Sequence, residues 1–260
     1  MSPCLPNSSK PHAANQALAA VVIRHRDAGY SLDRKHTAIK RVWRGICNTK
    51  ARRETVRKAK PLLGEDLRAL IDGLEQTASG ARDAALMALG WAAALRRSEL
   101  VSLDWQKLGA GGGFVCVDER GIVVTLMASK ASQDQAETIV VPRQHMPRTC
   151  QAIEAWAMVA KLDAGEPVFR AVKKGQKISA ERLTDRSVSR LVKSRVKELV
   201  KQRGRSEAEA DELVELISGH SLRAGYATSA VARNMPANRI QSHTGHKSAQ
   251  NGRRLHPRGR

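Results

Sequence analysis

Two arginine-bearing stretches carry the residues best suited to chemistry, ALRRSEL at Ala94–Leu100 and HSLRAG at His220–Gly225. Arg96 follows an apolar helical run, and Glu99, three positions on, lies beside it on a helix and orients its guanidinium. A guanidinium offers a planar fork that matches two phosphate oxygens at once, which a lysine cannot do. His220 and Arg223 are spaced to share one face at a helix start, near free amide donors and the positive end of the helix dipole. Lys130, in MASKASQDQAET, falls at the tip between two strand-like pieces, where it could reach into a groove and protonate a leaving oxygen. His246, in HTGHKS, follows Gly245, which ends a short helix and lets the backbone approach a ligand. Singly, these are an exposed ion pair, a solvated lysine and two structural histidines. Together they are the donors that stabilise charge building on the non-bridging oxygens of a phosphodiester under attack. Zinc is the rival use for His220, His243, His246 and His256, but the chain has no Cys-x-x-Cys or His-Glu-x-x-His pair.

The elements that must hold these residues are mostly helical. Residues 1–12 carry three prolines and no apolar periodicity, and read as a disordered leader. Helices are expected over Ala13–Arg26 and over KHTAIKRVWRGICNTKARRET, then, after a linker-like VRKAKPLL, over Gly64–Ala78. A long apolar helix, ARDAALMALGWAAAL, breaks near Ala94 and leads into a short one bearing Ser98, Glu99 and Leu100. GGFVCVDE, GIVVTLMAS and ETIVVPR read as the strands of a small antiparallel sheet. Everything after Pro147 reads as helices, the last being ANRIQSHT. The expected architecture is α+β, a helical body with one three-stranded sheet.

Composition narrows the partner. The 260 residues carry a formal charge of +20, from 45 Lys and Arg against 25 Asp and Glu, which suits a polyanion. Aromatic residues make up 3%, too few for a platform that stacks single-stranded bases, so double-stranded DNA gripped through its phosphates fits better. No apolar run approaches the roughly 20 residues that span a bilayer, and no signal peptide is visible, so no membrane partner is expected. The four cysteines, Cys4, Cys47, Cys116 and Cys150, are widely spaced and unpaired in pattern, as in a reduced, cytoplasmic protein.

In order along the chain, ALRRSEL, the hairpin lysine, HSLRAG and TGH resemble the tyrosine recombinase (phage integrase) family, including the Xer-type site-specific recombinases. The resemblance covers about Leu62 to Gln250. It implies the α+β fold of DNA breaking-rejoining enzymes, with residues 61–250 as the catalytic domain and 13–60 as part of a helical core-binding domain. It implies that Arg96 and Arg223 clamp the scissile phosphate, Lys130 protonates the departing 5′ oxygen, His220 acts as acid or base, and His246 donates to the phosphate. Strands would be broken and rejoined through a 3′-phosphotyrosine, without metal or cofactor, by a homo-tetramer on two DNA sites.

Two features depart from the family pattern. Where the family places its nucleophilic tyrosine, this chain has Leu255, and its tyrosines are Tyr30 and Tyr226, the latter expected to pack in the core. Back-translating Asn251–Pro257 and reading one nucleotide later permits MVAGYI, with a tyrosine codon at position 255, so residues 251–260 read as an aberrant basic tail produced by a frameshift. Before Lys60 only about two helices of the family's four-helix core-binding domain can be fitted. A non-catalytic double-stranded DNA-binding protein derived from a recombinase is the other reading that these departures leave open.

Overall fold

The computed structural model describes residues 11–53, 59–108, 111–127 and 136–244. Contacts divide the chain into two compact units, residues 1–58 and 59–260. In the first, helix α1 (Pro11–Asp27) packs on α2 (Thr37–Arg53). Gly29, with φ +79°, reverses the chain after α1, and Tyr30 N–H returns to His25 O at 2.8 Å. None of residues 17–46 is fully buried, and Val21, Ile23, Tyr30 and Val42 are exposed.

The second unit holds the core. Its helices are α3 (Gly64–Asp72), α4 (Ala78–Ala92), α5 (Arg97–Ser102), α6 (Pro147–Ala160), α7 (Asp185–Gln202), α8 (Glu207–Glu215), α9 (His220–Ala232) and α10 (Ala237–Thr244). Its strands are β1 (Leu103–Trp105), β2 (Gly113–Val117), β3 (Gly121–Leu126), β4 (Glu137–Pro142), β5 (Arg170–Val172) and β6 (Ile178–Arg182). Helix α4 is apolar nearly all round, as a central helix must be. Its Leu86, Met87 and Leu89 are wholly buried, and it packs on both α6 and α9. Trp156 of α6 fills the space beneath and donates Nε1–H to Val168 O at 2.7 Å. On α7, Val188, Val192, Val196 and Val200 recur every fourth residue and bury one stripe while the charged face stays in solvent.

The expected sheet is present as β2, β3 and β4, but the strand content is larger than the sequence suggested. A fourth strand, β1, adds parallel to β2, giving the order β1-β2-β3-β4, and β5 pairs antiparallel with β6 in a second, two-stranded sheet. The expectation that only helices follow Pro147 is thus corrected. β1 and β5 were invisible because three residues are too few to show alternation, and β5–β6, interrupted by KKGQK, leaves most of its residues half-exposed or exposed. Long-range polar contacts hold β1 in place. Arg182 of β6 donates to Val101 O at 2.8 Å and Leu103 O at 3.0 Å and pairs with buried Asp104, which also accepts from Gly111 N–H at 2.7 Å. Helix α3 also ends earlier than expected, at Asp72, because Gly73 closes it and Thr77 starts α4 by accepting from Gly80 N–H at 3.1 Å.

Candidate phosphate site

The site forms where the N-termini of α5 and α9 meet, beside α7. The break expected near Ala94 is a turn in which Ala94 adopts a left-handed conformation, φ +49°, and delivers Arg96 to the start of α5. Glu99 accepts from the Arg96 backbone N–H at 2.7 Å and also takes its guanidinium, so the expected pairing exists. The Arg96 side chain is 52% exposed.

Helix α9 begins at His220, as the sequence indicated, and is fixed by serines on both sides of that residue. Ser218 Oγ accepts from His220 N–H at 3.1 Å, and Ser221 Oγ accepts from Ser218 N–H at 3.0 Å. Ser189 of α7 joins the neighbouring ends: its Oγ accepts from Arg97 Nη1 at 2.7 Å and from Gly219 N–H at 3.3 Å. A Cβ at Gly219 would fall 2.1 Å from Arg97 Cδ, so only glycine lets the Arg97 stem cross here. Six residues on, a Cβ at Gly225 would meet Leu62 O at 1.8 Å, so that glycine is what lets α9 lie against the segment leading into α3.

Arg223 is buried, 4% exposed, and donates Nη1–H to Ala94 O at 2.6 Å and Nη2–H to Thr244 O. Burial, then repulsion from Arg96, lowers its pKa from the ordinary value. His220 presents exposed surface, yet partial desolvation, followed by repulsion from Arg223, Arg96 and Arg97, pushes its pKa down. The imidazole is therefore mainly neutral at neutral pH and able to take or give a proton there.

The structure thus brings Arg96, His220 and Arg223 into one electrostatic neighbourhood. Lys130 and His246 lie outside the described residues, as do Leu255 and His256. Tyr226 packs in the core as expected: it stacks on His243 with centroids 4.4 Å apart, meets Trp91 edge-on at 5.4 Å, and desolvation raises its pKa. Sequence reasoning passed over Arg97 and Ser189, and treated His243 only as a candidate zinc ligand. Among the described residues no cluster could hold a metal ion, and none of their helices is long and apolar enough to cross a membrane.

A model of the phage integrase family matches residues 60–254. The chain is 32% identical over 251 residues to the integrase/recombinase xerD homolog of Selenomonas ruminantium, covering 94% of this chain and 67% of that protein. The chain belongs to the phage integrase family, the tyrosine recombinases. Solved structures share its fold: XerH site-specific recombinase bound to palindromic difH substrate, with TM-score 0.52 and 18% identity over 76% of this chain. The Tn1549 transposon integrase in complex with a circular intermediate DNA matches with TM-score 0.58 and 13% identity over 98% of this chain and 77% of its own. The chain spans about half of the XerH chains, 49% in the post-cleavage complex and 51% in the pre-cleavage one.

Proposed function

We propose that this chain is a site-specific DNA recombinase of the tyrosine type, which grips double-stranded DNA and holds one phosphodiester between Arg96 and Arg223. The observation that carries this reading is the convergence of Arg96, His220 and Arg223 at the α5 and α9 N-termini, in a chain of the integrase family. The positive charge of the whole, +20, supplies the non-specific hold on DNA. Residues 13–60 serve as part of a core-binding domain and 61–250 as the catalytic domain, with a homo-tetramer on two DNA sites as the working assembly.

In the proposed reaction the two guanidiniums face the non-bridging oxygens, where charge accumulates as the attacking oxygen arrives, and so stabilise the transition state more than the ground state. His220, mostly neutral, accepts a proton from the nucleophile or returns it. Lys130 protonates the departing 5′ oxygen, and His246 adds a hydrogen bond to the phosphate. No step calls for a metal.

The nucleophile is the missing part. Position 255 is leucine, and Tyr226 is buried against Trp91 and His243, out of reach of solvent. The chain as translated therefore binds DNA without forming a covalent link, and residues 251–260 are the product of a shifted reading frame. Incubation with a suicide duplex carrying the target site, selected from random-sequence DNA, tests the first statement, and the gene sequence around codon 250 tests the second. No SDS-stable adduct is expected from this chain, and one is expected from a variant whose tail is restored to the shifted frame. An adduct from the present chain would assign the nucleophile elsewhere. A restored variant that binds the duplex and forms no adduct would remove the recombinase reading.

A further inference from the structure

We infer that His243 is a positioning residue that locks the Arg223 guanidinium in place by joining the two backbone segments that supply its carbonyl acceptors. The geometry of the brace stands on its own, and its consequence for phosphate binding rests on the function proposed above.

Arg223 divides its donors between two segments far apart in sequence, donating Nη1–H to Ala94 O at 2.6 Å and Nη2–H to Thr244 O. Such a fork is rigid only if its two acceptors are rigid with respect to each other. Ala94 O belongs to the turn that ends α4, and Thr244 O to the last residue of α10. His243 is the tie between them: its Nε2 lies 2.7 Å from Ala92 O, two residues before Ala94, while its backbone runs directly into Thr244. A carbonyl only accepts, so Nε2 carries the hydrogen and the ring is the Nε2–H tautomer. Burial, then the Arg223 charge, lowers the His243 pKa against the opposing pull of Ala92 O, which keeps the ring a neutral single donor beside the guanidinium.

The ring plane is held as well. His243 stacks on Tyr226 at an interplanar angle of 21°, Tyr226 meets the Trp91 ring edge-on, and Trp91 donates Nε1–H to Leu62 O at 3.0 Å. Ile240, one turn earlier on α10, is buried with Ala94, Tyr226 and Ala230, so the helix end seats apolar side chains against the same turn. Packing of this kind needs only a ring or an aliphatic group at position 243. The hydrogen bond to Ala92 O needs a donor, and that requirement separates positioning from filling space.

The test compares His243→Phe, which keeps the stack and removes the donor, with His243→Gln, which supplies a donor at the reach of Nε2. In the full chain labelled at arginine, the Arg223 guanidinium signals report how fast the group rotates and exchanges hydrogen. Wild type is expected to exchange slowly, H243F faster by about tenfold, the effect of one lost hydrogen bond, and H243Q slowly again. Equal Arg223 exchange in wild type and H243F would overturn the brace, as would a folded H243Q with fast exchange. If H243F does not fold, His243→Leu, which likewise removes the donor, takes its place, fast exchange supporting the brace and slow exchange refuting it. Titration with inorganic phosphate, followed at the His220 ring, addresses the other reading: H243F is expected to bind about tenfold more weakly than wild type. If wild type itself shows no saturable shift while Arg223 exchange follows the expected pattern, the brace stands and the phosphate reading falls.

Discussion

The N-terminus of α5 and the first turn of α9 each bring one arginine to the same junction, and they hold it in opposite ways. Arg96 is half in water with the Glu99 carboxylate for company, whereas Arg223 is out of water and bonded to two main-chain carbonyls. The carboxylate neutralises much of the charge it orients and, under the proposed function, would compete with an incoming phosphate. The carbonyls orient Arg223 without cancelling its full positive charge, and in a low-dielectric setting that charge acts more strongly on a neighbour. Under the proposed function a pair so built would divide the work, with Arg223 aimed before DNA arrives and Arg96 free to adjust as it does.

That division is most exposed to Arg223→Ala. Removing the buried guanidinium leaves the carbonyls of Ala94 and Thr244 without the donor that ties them, and about 2–4 kcal/mol of stability should be lost, read as a fall in the denaturation midpoint of the full chain. A loss below about 0.5 kcal/mol would show that the buried arginine carries no structural weight. Arg96→Ala should cost stability no more than about 1 kcal/mol, because an exposed ion pair contributes little. In the tail-restored variant the same change should slow covalent adduct formation by about a hundredfold, as loss of one preorganised donor does. If Arg96→Ala destabilised the chain as much as Arg223→Ala, the contrast between the two settings would collapse.

The smallest effect concerns pH. His220 and His243 both have folded pKa values below the ordinary one, so the unfolded chain takes up protons first. The stability this neutrality provides is fully present above about pH 6.5 and falls as the pH drops toward the folded values. Denaturation midpoints at pH 7.5 and 5.5 should therefore differ in that direction, and the difference should shrink in H243F. A midpoint that rises on acidification would contradict both assignments.

Much of this comparison could be read from the chain before any coordinates. The halt in apolar periodicity at Ala94 and the i, i+3 spacing of Arg96 and Glu99 gave the α5 side, and HSLRAG gave the start of α9, because helix ends leave local signatures. What stayed hidden was everything made by meetings between distant segments. Ser189 bridging Arg97 to Gly219, Arg182 pinning β1, and His243 reaching Ala92 have no periodicity to betray them. The charge of Arg223 was legible and its burial was not, since an arginine in the first turn of a helix reads as a surface residue until Gly225 is seen lying against Leu62 O.

The hydrogen bond from His243 to Ala92 O spans 151 positions of the chain. During synthesis, α4 through α9 can collapse around their apolar residues while α10 is still being added, because domains form as their segments emerge. The guanidinium of Arg223 gains its second anchor only after Thr244 has left the exit tunnel. A nascent protein is therefore basic from its first helices, while the Arg223 fork is completed only once α10 has emerged.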